Sequence, residues 1–317
     1  MRILLTGLGS IGRRHARLLY EELEEVELLI YRSGTSQSGN PFGAPEYTDL
    51  QDVLAQDPDI AFITNPTHKH IETATACARA GCHLFIEKPL SHTLENVERL
   101  IGIAKENDLV THVGCQLRFD PTLNAAREII NSNDLGDVIS FRATSGSYLP
   151  EWRPEQDYRD SYSADPERGG GVVLDLIHEI DYTYWLFDNI SCVASAIAHT
   201  DTLEINSEAI AEAVMRVPGD VIGSIHLDYC RRQPKRVLEV VCEGGTVIAD
   251  LQEQMLTIEW PSTTDTESFD YGRDRRFVAQ LHHFIENVHS GGKCDNDLSE
   301  AKEVLQIALD VKGEYNG

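Results

Sequence analysis

The chain has 317 residues, 41% hydrophobic and 25% charged, the balance of an ordinary globular protein and about twice the size of a typical single domain. Its formal charge of −25, from 52 acidic against 27 basic residues, would repel a polyphosphate strand or an anionic lipid surface, which excludes nucleic-acid and membrane partners as expectations. Every apolar run is shorter than the roughly 18 residues of a membrane span, and the start leads into a strand without a cleavable leader pattern, so a soluble cytoplasmic protein is expected.

The first element is the most informative. Residues 2–6 form an apolar run that ends in Gly7-x-Gly9-x-x-Gly12, and a helical pattern follows at once. Gly7 permits a tight turn, Gly9 admits a pyrophosphate close to the backbone, and Gly12 lets the helix pack on the strand. The amides of the turn, Ser10 and Ile11 included, and the helix dipole then face the anion. Dinucleotide binding is the expectation. Further strands are expected at 26–31, 59–64, 83–86 and 110–114. Helical spacing recurs between them at Leu18/Leu19, Ile71/Ala74/Ala78 and Val97/Leu100/Ile101/Ala104. This alternation predicts βαβ units and a Rossmann doubly wound parallel sheet over residues 1–120.

Two positions in this half bear on chemistry. The second strand closes on Tyr31-Arg32-Ser33, where an NAD-binding fold usually carries an acid for the ribose 2′-hydroxyl. Arg32 and Ser33 suit a 2′-phosphate instead, which favours NADP over NAD; the alternatives are a Tyr31 that stacks on adenine and an Arg32 that is only a solvated charge. Residues 82–87 then form an apolar strand that stops at Glu87-Lys88-Pro89. Pro89 keeps Lys88 out of helical conformation, so its ammonium is held at the strand end; alone, such a lysine is more often surface decoration.

Beyond Pro121 the pattern changes. One helix (122–131) precedes alternating segments at 137–148, 192–199, 208–217, 221–230, 235–242, 245–251 and 254–260, separated by turns such as Pro218-Gly219-Asp220 and Gly244-Gly245. Helices near 275–290 and 298–312 close the chain. The second domain, 121–317, is therefore expected to be α+β with a large, mainly antiparallel open sheet. An exposed apolar sheet face needs a cover, so a homodimer or homotetramer through this sheet is expected.

Within it, the loop carrying Tyr148, Trp152, Arg153, Tyr158 and Arg159 offers aromatic faces for a pyranose ring and forked cations for a carboxylate or phosphate, or else packs at a subunit contact. Past the glycines 169–171, Asp175 and His178 are three residues apart, with Asp181 a turn further on. On one helix they share a face, and a histidine beside a carboxylate is a proton-transfer pair. The bland alternative is that His178 and Asp181 brace a helix packed through Leu174, Ile177 and Trp185. The sequence offers no second histidine cluster, and no metal is expected. The seven cysteines are scattered without a Cys-x-x-Cys pair, which indicates neither disulfides nor a thiolate site.

The ordered set Gly7-x-Gly9-x-x-Gly12, Asn65-Pro66-Thr67-His68-x-His70, Glu87-Lys88-Pro89, Gln116-x-Arg118-Phe119-Asp120-Pro121 and the glycine-triplet Asp175…His178 segment resembles the Gfo/Idh/MocA family over nearly the whole chain. The resemblance implies NAD(P)-dependent oxidation or reduction at a sugar or cyclitol carbinol. It places Asn65, Pro66, His68, His70, Glu87, Lys88 and Gln116 near the cofactor and Arg118 near the substrate. Lys88 matches the family's catalytic lysine, with a Lys88-Pro89 peptide that is often cis. Asp175 and His178 match its acidic residue and acid/base histidine, one residue closer together than the usual Asp-x-x-x-His. Chemically, His178 moves the hydroxyl proton, Lys88 polarises the oxygen and Asp175 orients substrate or histidine. A redox-assisted glycosidase and a non-catalytic cofactor sensor are the other readings. Finally, the dispersed carboxylates, with 20 Arg against 7 Lys, suggest a high-salt cytoplasm.

Overall fold

The computed structural model describes residues 1–34 and 39–313, and the chain divides into two units. The first is Met1–Cys115 with Val278–Leu305; the second is Gln116–Phe277 with the chain from Gln306 onward.

The first unit is built on strands β1 (Arg2–Thr6), β2 (Glu27–Tyr31), β3 (Glu46–Tyr47), β4 (Ile60–Ile63), β5 (His83–Glu87) and β6 (Thr111–Gly114). All pairs are parallel and the order is β3-β2-β1-β4-β5-β6. Helices α1 (Ser10–Glu22), α2 (Leu50–Leu54), α3 (His70–Arg79) and α4 (Val97–Glu106) connect the strands. The apolar runs read from the sequence are buried along their length, as a parallel sheet covered on both faces requires. β3 is an addition: two residues, Glu46 and Tyr47, are too short to show a period. In the core Phe62 and Phe85 stack at 4.6 Å, and Phe284 sets its ring edge against both at 5.9 and 5.5 Å. Phe284 belongs to α8 (Arg275–Ser290), so this core is closed by a residue from near the end of the chain.

The second unit opens with α5 (Pro121–Ser132), whose N-cap Asp120 accepts from the amides of Thr122 and Leu123. Its sheet comprises β7 (Val138–Gly146), β8 (Ser191–Ala198), β9 (Ile210–Val217), β10 (Val221–Asp228), β11 (Lys235–Cys242), β12 (Gly245–Asp250), β13 (Met255–Glu259) and β14 (Thr264–Ser268). The order is β14-β13-β12-β11-β7-β10-β9-β8, antiparallel except where β10 runs parallel to β7. β14, five exposed polar residues, carries no alternation and was invisible in the sequence. On β9 the alternation is strict: Ala211, Ala213, Met215 and Val217 are buried while Glu212, Val214 and Arg216 face out.

One expectation changes. The segment after the glycines is two helices, α6 (Val172–Asp175) and α7 (His178–Phe187), with a break at Leu176 and Ile177. Asp175 ends the first and His178 begins the second, so they do not share the face of one helix. Glu208 holds the start of α6, its backbone oxygen accepting from Val172 N–H at 3.1 Å and its carboxylate from Val173 N–H at 3.4 Å. The closing helices are α8 and α9 (Leu298–Lys312).

Candidate functional site

In the first unit the glycine turn behaves as its sterics demand. Gly7 has φ +104°, and its N–H donates to Tyr31 O at 2.9 Å. A Cβ on Gly12 would lie 2.2 Å from Gly7 O and 2.9 Å from Thr64 Oγ1, so only glycine fits there. At Gly9, the residue that precedes α1, a Cβ would meet nothing within 4 Å. Two glycines are thus required by the protein and one leaves open space beside a helix N-terminus that no side chain caps. That is a cradle matched to a pyrophosphate.

Arg32, 8% exposed, pairs with Glu46 of β3 at 3.2 Å, and its N–H donates to Tyr47 O. Glu46 was not anticipated, because strand pairing rather than sequence proximity brings it to Arg32. Ser33 follows and is exposed, and Tyr31 is half-buried.

After β4, Asn65 Nδ2 donates to Thr73 Oγ1 at 2.8 Å; Pro66 and His68 are exposed. The His70 ring lies 3.0 Å from Pro89 O through Nδ1 and 2.9 Å from Asn65 O through Nε2. Burial holds its pKa below the ordinary histidine value, outweighing the two carbonyls and Glu87, which favour the charged ring. Lys88 is half-buried at the end of β5, and the Lys88-Pro89 peptide is cis. Its N–H donates to Glu87 Oε2 at 3.2 Å, while Glu87 Oε1 lies 2.6 Å from His15 Nε2.

In the second unit Asp175 is 3% exposed, and its Oδ2 accepts from Tyr229 Oη at 2.6 Å. The buried Tyr162 phenol is close enough to the same carboxylate to feel its charge. Burial first, then Asp175, push both phenols well above their ordinary pKa, so each keeps its proton as a donor. Sequence reasoning missed Tyr229 as a site residue. The available signal was that Tyr229 continues the buried face of β10, and a buried phenol needs a partner. Two of the three glycines are explained by crowding: a Cβ on Gly170 would lie 2.1 Å from Tyr162 O, and one on Gly171 2.2 Å from Glu208 Oε1; Gly169 has φ +85°. His178 is 4% exposed.

Other expected site residues have protein partners. Arg118 grips Asp181 through Nε and Nη2, at 3.0 and 2.7 Å, with both side chains closed to solvent. Asp181 is therefore the brace of α7. Arg159, exposed, forks onto Asp157 and reaches Glu204 at 2.7 Å, pulling the Asp157 carboxyl down to about 2. Trp152 Nε1 donates to Ser147 Oγ, and its ring meets Tyr229 edge-on at 5.4 Å. Tyr148 lies under the Arg232 guanidinium at 3.5 Å, Arg153 lies 5.8 Å above the Tyr162 ring, and Tyr158 Oη accepts from Glu204 N–H. Gln116 opens the short turn that carries Arg118.

A His-His-Cys cluster was not foreseen in the sequence: His112, His283 and Cys294 bring ligand-type atoms within 4.8 Å of one another in the first unit. The Asp295 peptide engages both rings, its oxygen 2.8 Å from His112 Nδ1 and its N–H donating to His283 Nε2 at 3.1 Å. The cluster ties the turn before α9 to β6 and α8.

A parallel sheet in the order 3-2-1-4-5-6 with a glycine cradle after its first strand defines the class, a dinucleotide-binding Rossmann fold. The model of an oxidoreductase family with an NAD-binding Rossmann fold matches residues 1–115, and that of the Gfo/Idh/MocA C-terminal domain matches 123–248. The chain belongs to the Gfo/Idh/MocA family of oxidoreductases. It is 27% identical to myo-inositol 2-dehydrogenase of Thermotoga maritima, over 98% of this chain and 95% of that protein. It is 24% identical to scyllo-inositol 2-dehydrogenase (NAD(+)) of Bacillus subtilis, over 100% of this chain and 98% of that one. A solved levoglucosan dehydrogenase in complex with NADH and levoglucosan superposes with a TM-score of 0.86 at 19% identity, covering 99% of this chain and 96% of that chain, a likeness of fold. Among the described residues no helix is long and apolar enough to cross a membrane.

Proposed function

We propose that the chain is an NAD(P)-dependent dehydrogenase acting on a secondary hydroxyl or ketone of a sugar or cyclitol. The observation that carries this reading is Lys88 at the carboxyl end of β5, the sheet edge where such folds take their ligands, in a chain that follows inositol dehydrogenases over its whole length. Bound NAD(P) supplies or accepts the hydride. His178 takes or returns the hydroxyl proton, Lys88 stabilises the oxygen as it becomes a carbonyl, and Asp175 orients substrate or histidine. Tyr148, Trp152, Arg153 and Tyr158 are proposed to read the sugar, with Arg153 as the cation for an acidic or nucleotide-linked one.

The test is production of reduced cofactor from myo-inositol, scyllo-inositol, levoglucosan and UDP-N-acetylglucosamine with NAD and NADP in turn. Turnover with one of them, lost in Lys88→Ala and His178→Ala while reduced cofactor still binds, is the expected result. A panel without turnover, or a Lys88→Ala enzyme at near-normal rates, overturns the reading.

NADP is the proposed preference, with Arg32 and Ser33 on the 2′-phosphate. Glu46 competes for Arg32, so Glu46→Gln is expected to raise the NADP to NAD ratio of kcat/KM about tenfold and Arg32→Ala to lower it by as much. Equal ratios in all three proteins refute the assignment.

The outward sheet face, with Val214 40% and Ile222 51% exposed, is proposed to be covered by a second copy, giving a homodimer or homotetramer. Light scattering that gives a monomer mass for the unmodified protein defeats this. The high negative charge is proposed to suit a salt-rich cytoplasm, with an unfolding midpoint that rises in molar KCl.

A further inference from the structure

The first unit contains a buried arrangement that the proposed chemistry does not call for directly. Glu87, the last residue of β5, is 7% exposed, and its carboxylate turns into the protein. A carboxylate in that position is costly unless its oxygens are hydrogen-bonded, and both are. Oε1 lies 2.6 Å from His15 Nε2, and Oε2 accepts from the Lys88 N–H at 3.2 Å.

Space for it is made on both sides. The residue paired with Glu87 on β6 is Gly114, where a Cβ would press on Glu87 Oε1 at 3.2 Å and on Phe85 Cε1 at 3.3 Å. His15, on the buried face of α1, sets its ring 5.4 Å from Phe62 and 5.0 Å from Phe85. The imidazole is therefore fixed by packing, and its nitrogen is aimed at the carboxylate. An apolar ring would fill the same space without that bond. Past Lys88, the His70 ring stands 3.0 Å from the Pro89 oxygen. The backbone is thus held on both sides of the Lys88 side chain.

We infer that His15 is a positioning residue for Lys88: acting through Glu87, it fixes the Lys88 backbone and so the direction in which the amine leaves the strand. This rests on the proposed catalytic role of Lys88 for its effect on rate, but not for its effect on the lysine's position. A displacement of about 1 Å at a reacting group costs about a hundredfold in rate, so a side chain that never touches substrate can control turnover in this way.

The test compares His15→Phe, which keeps a ring between Phe62 and Phe85 but has no donor, with His15→Gln, which keeps a donor. Two readouts are taken. The first is kcat and KM on whichever compound of the panel above turns over, with the affinity for reduced cofactor measured alongside. The second needs no substrate: isotope-labelled reductive methylation of the seven lysines, followed by nuclear magnetic resonance, with the Lys88 signal identified by its loss in Lys88→Arg. His15→Phe is expected to lower kcat between about tenfold and a hundredfold at unchanged KM and cofactor affinity, and to move the Lys88 signal to the position of exposed lysines. His15→Gln is expected to restore most of both.

A His15→Phe protein with an unmoved Lys88 signal overturns the inference. So does one whose kcat, KM and cofactor affinity deteriorate together with no rescue by glutamine, because that is the signature of packing alone. If His15→Phe does not fold, Glu87→Gln carries the same two readouts. Should Lys88→Ala keep its rate while the Lys88 signal still moves, the catalytic reading fails and the positioning inference stands.

Discussion

The Tyr229 hydroxyl donates to Asp175 Oδ2 at 2.6 Å, with Tyr229 fully enclosed and Asp175 nearly so. A hydrogen bond to a carboxylate in such a setting contributes about 1.5–3 kcal/mol, and without it the oxygen faces an apolar ring. Tyr229→Phe is expected to lower unfolding stability by about that amount in urea titrations and to reduce kcat more than it raises KM. Because the phenol titrates well above its ordinary range, the deficit is expected to be flat with pH across the neutral and mildly alkaline region. A deficit that vanishes within that region contradicts the assigned donor.

Gly9 and Gly12 separate cofactor binding from folding. Gly12→Ala forces a methyl to 2.2 Å from Gly7 O, and such overpacking costs about 1–3 kcal/mol, so the protein without cofactor should melt lower. Gly9→Ala meets no protein atom, so its thermal midpoint without cofactor should match the unmodified chain while its affinity for reduced cofactor falls. Calorimetry of both variants with and without NADH checks the contrast, which fails if both lose stability alike.

Arg118 and Asp181 form a fully enclosed bidentate pair. Removing one member takes the opposite charge away from a buried ion, which costs about 3–5 kcal/mol. Asp181→Ala is expected to be destabilised by that amount, while the double replacement Arg118→Met with Asp181→Leu recovers much of it. Equal losses in the single and double variants would point away from the pair.

His70 sets a dependence on pH. Its pKa is lowered in the folded protein, so below the ordinary value of 6.5 the unfolded chain takes up a proton that the folded chain resists. Stability from this group is therefore complete above that value and declines as the pH falls toward the lowered one, by at most about 1.4 kcal/mol per pH unit. Urea midpoints of the unmodified protein should drop more steeply over that window than those of His70→Gln. Parallel slopes would show that the ring is not the titrating group.

Local chemistry was readable from the chain. Gly7 and Gly12 are dictated by the tight turn between strand and helix, Gly9 leaves room beside the helix start, and the strand at 2–6 appears where its apolar run lies. The strict alternation of β9 likewise revealed an open sheet. What could not be read depends on residues far apart. Glu208 reaches the start of α6 from more than thirty positions away, and the break between Asp175 and His178 left no trace in their spacing. The motif suggested substrate contact for Arg118, but the fold commits its guanidinium to Asp181. Glu46 reaches Arg32 only because β3 pairs with β2, and β14 escaped because five polar residues carry no periodic signal.

Phe284 closes the stack formed with Phe62 and Phe85, and it is fully buried. A ribosome adding roughly 5–20 residues per second makes both partner rings long before it reaches Phe284. During that delay the nascent Rossmann half carries an unfilled aromatic notch. A message truncated between β5 and α8 therefore yields a product with an open aromatic core rather than a smaller working enzyme.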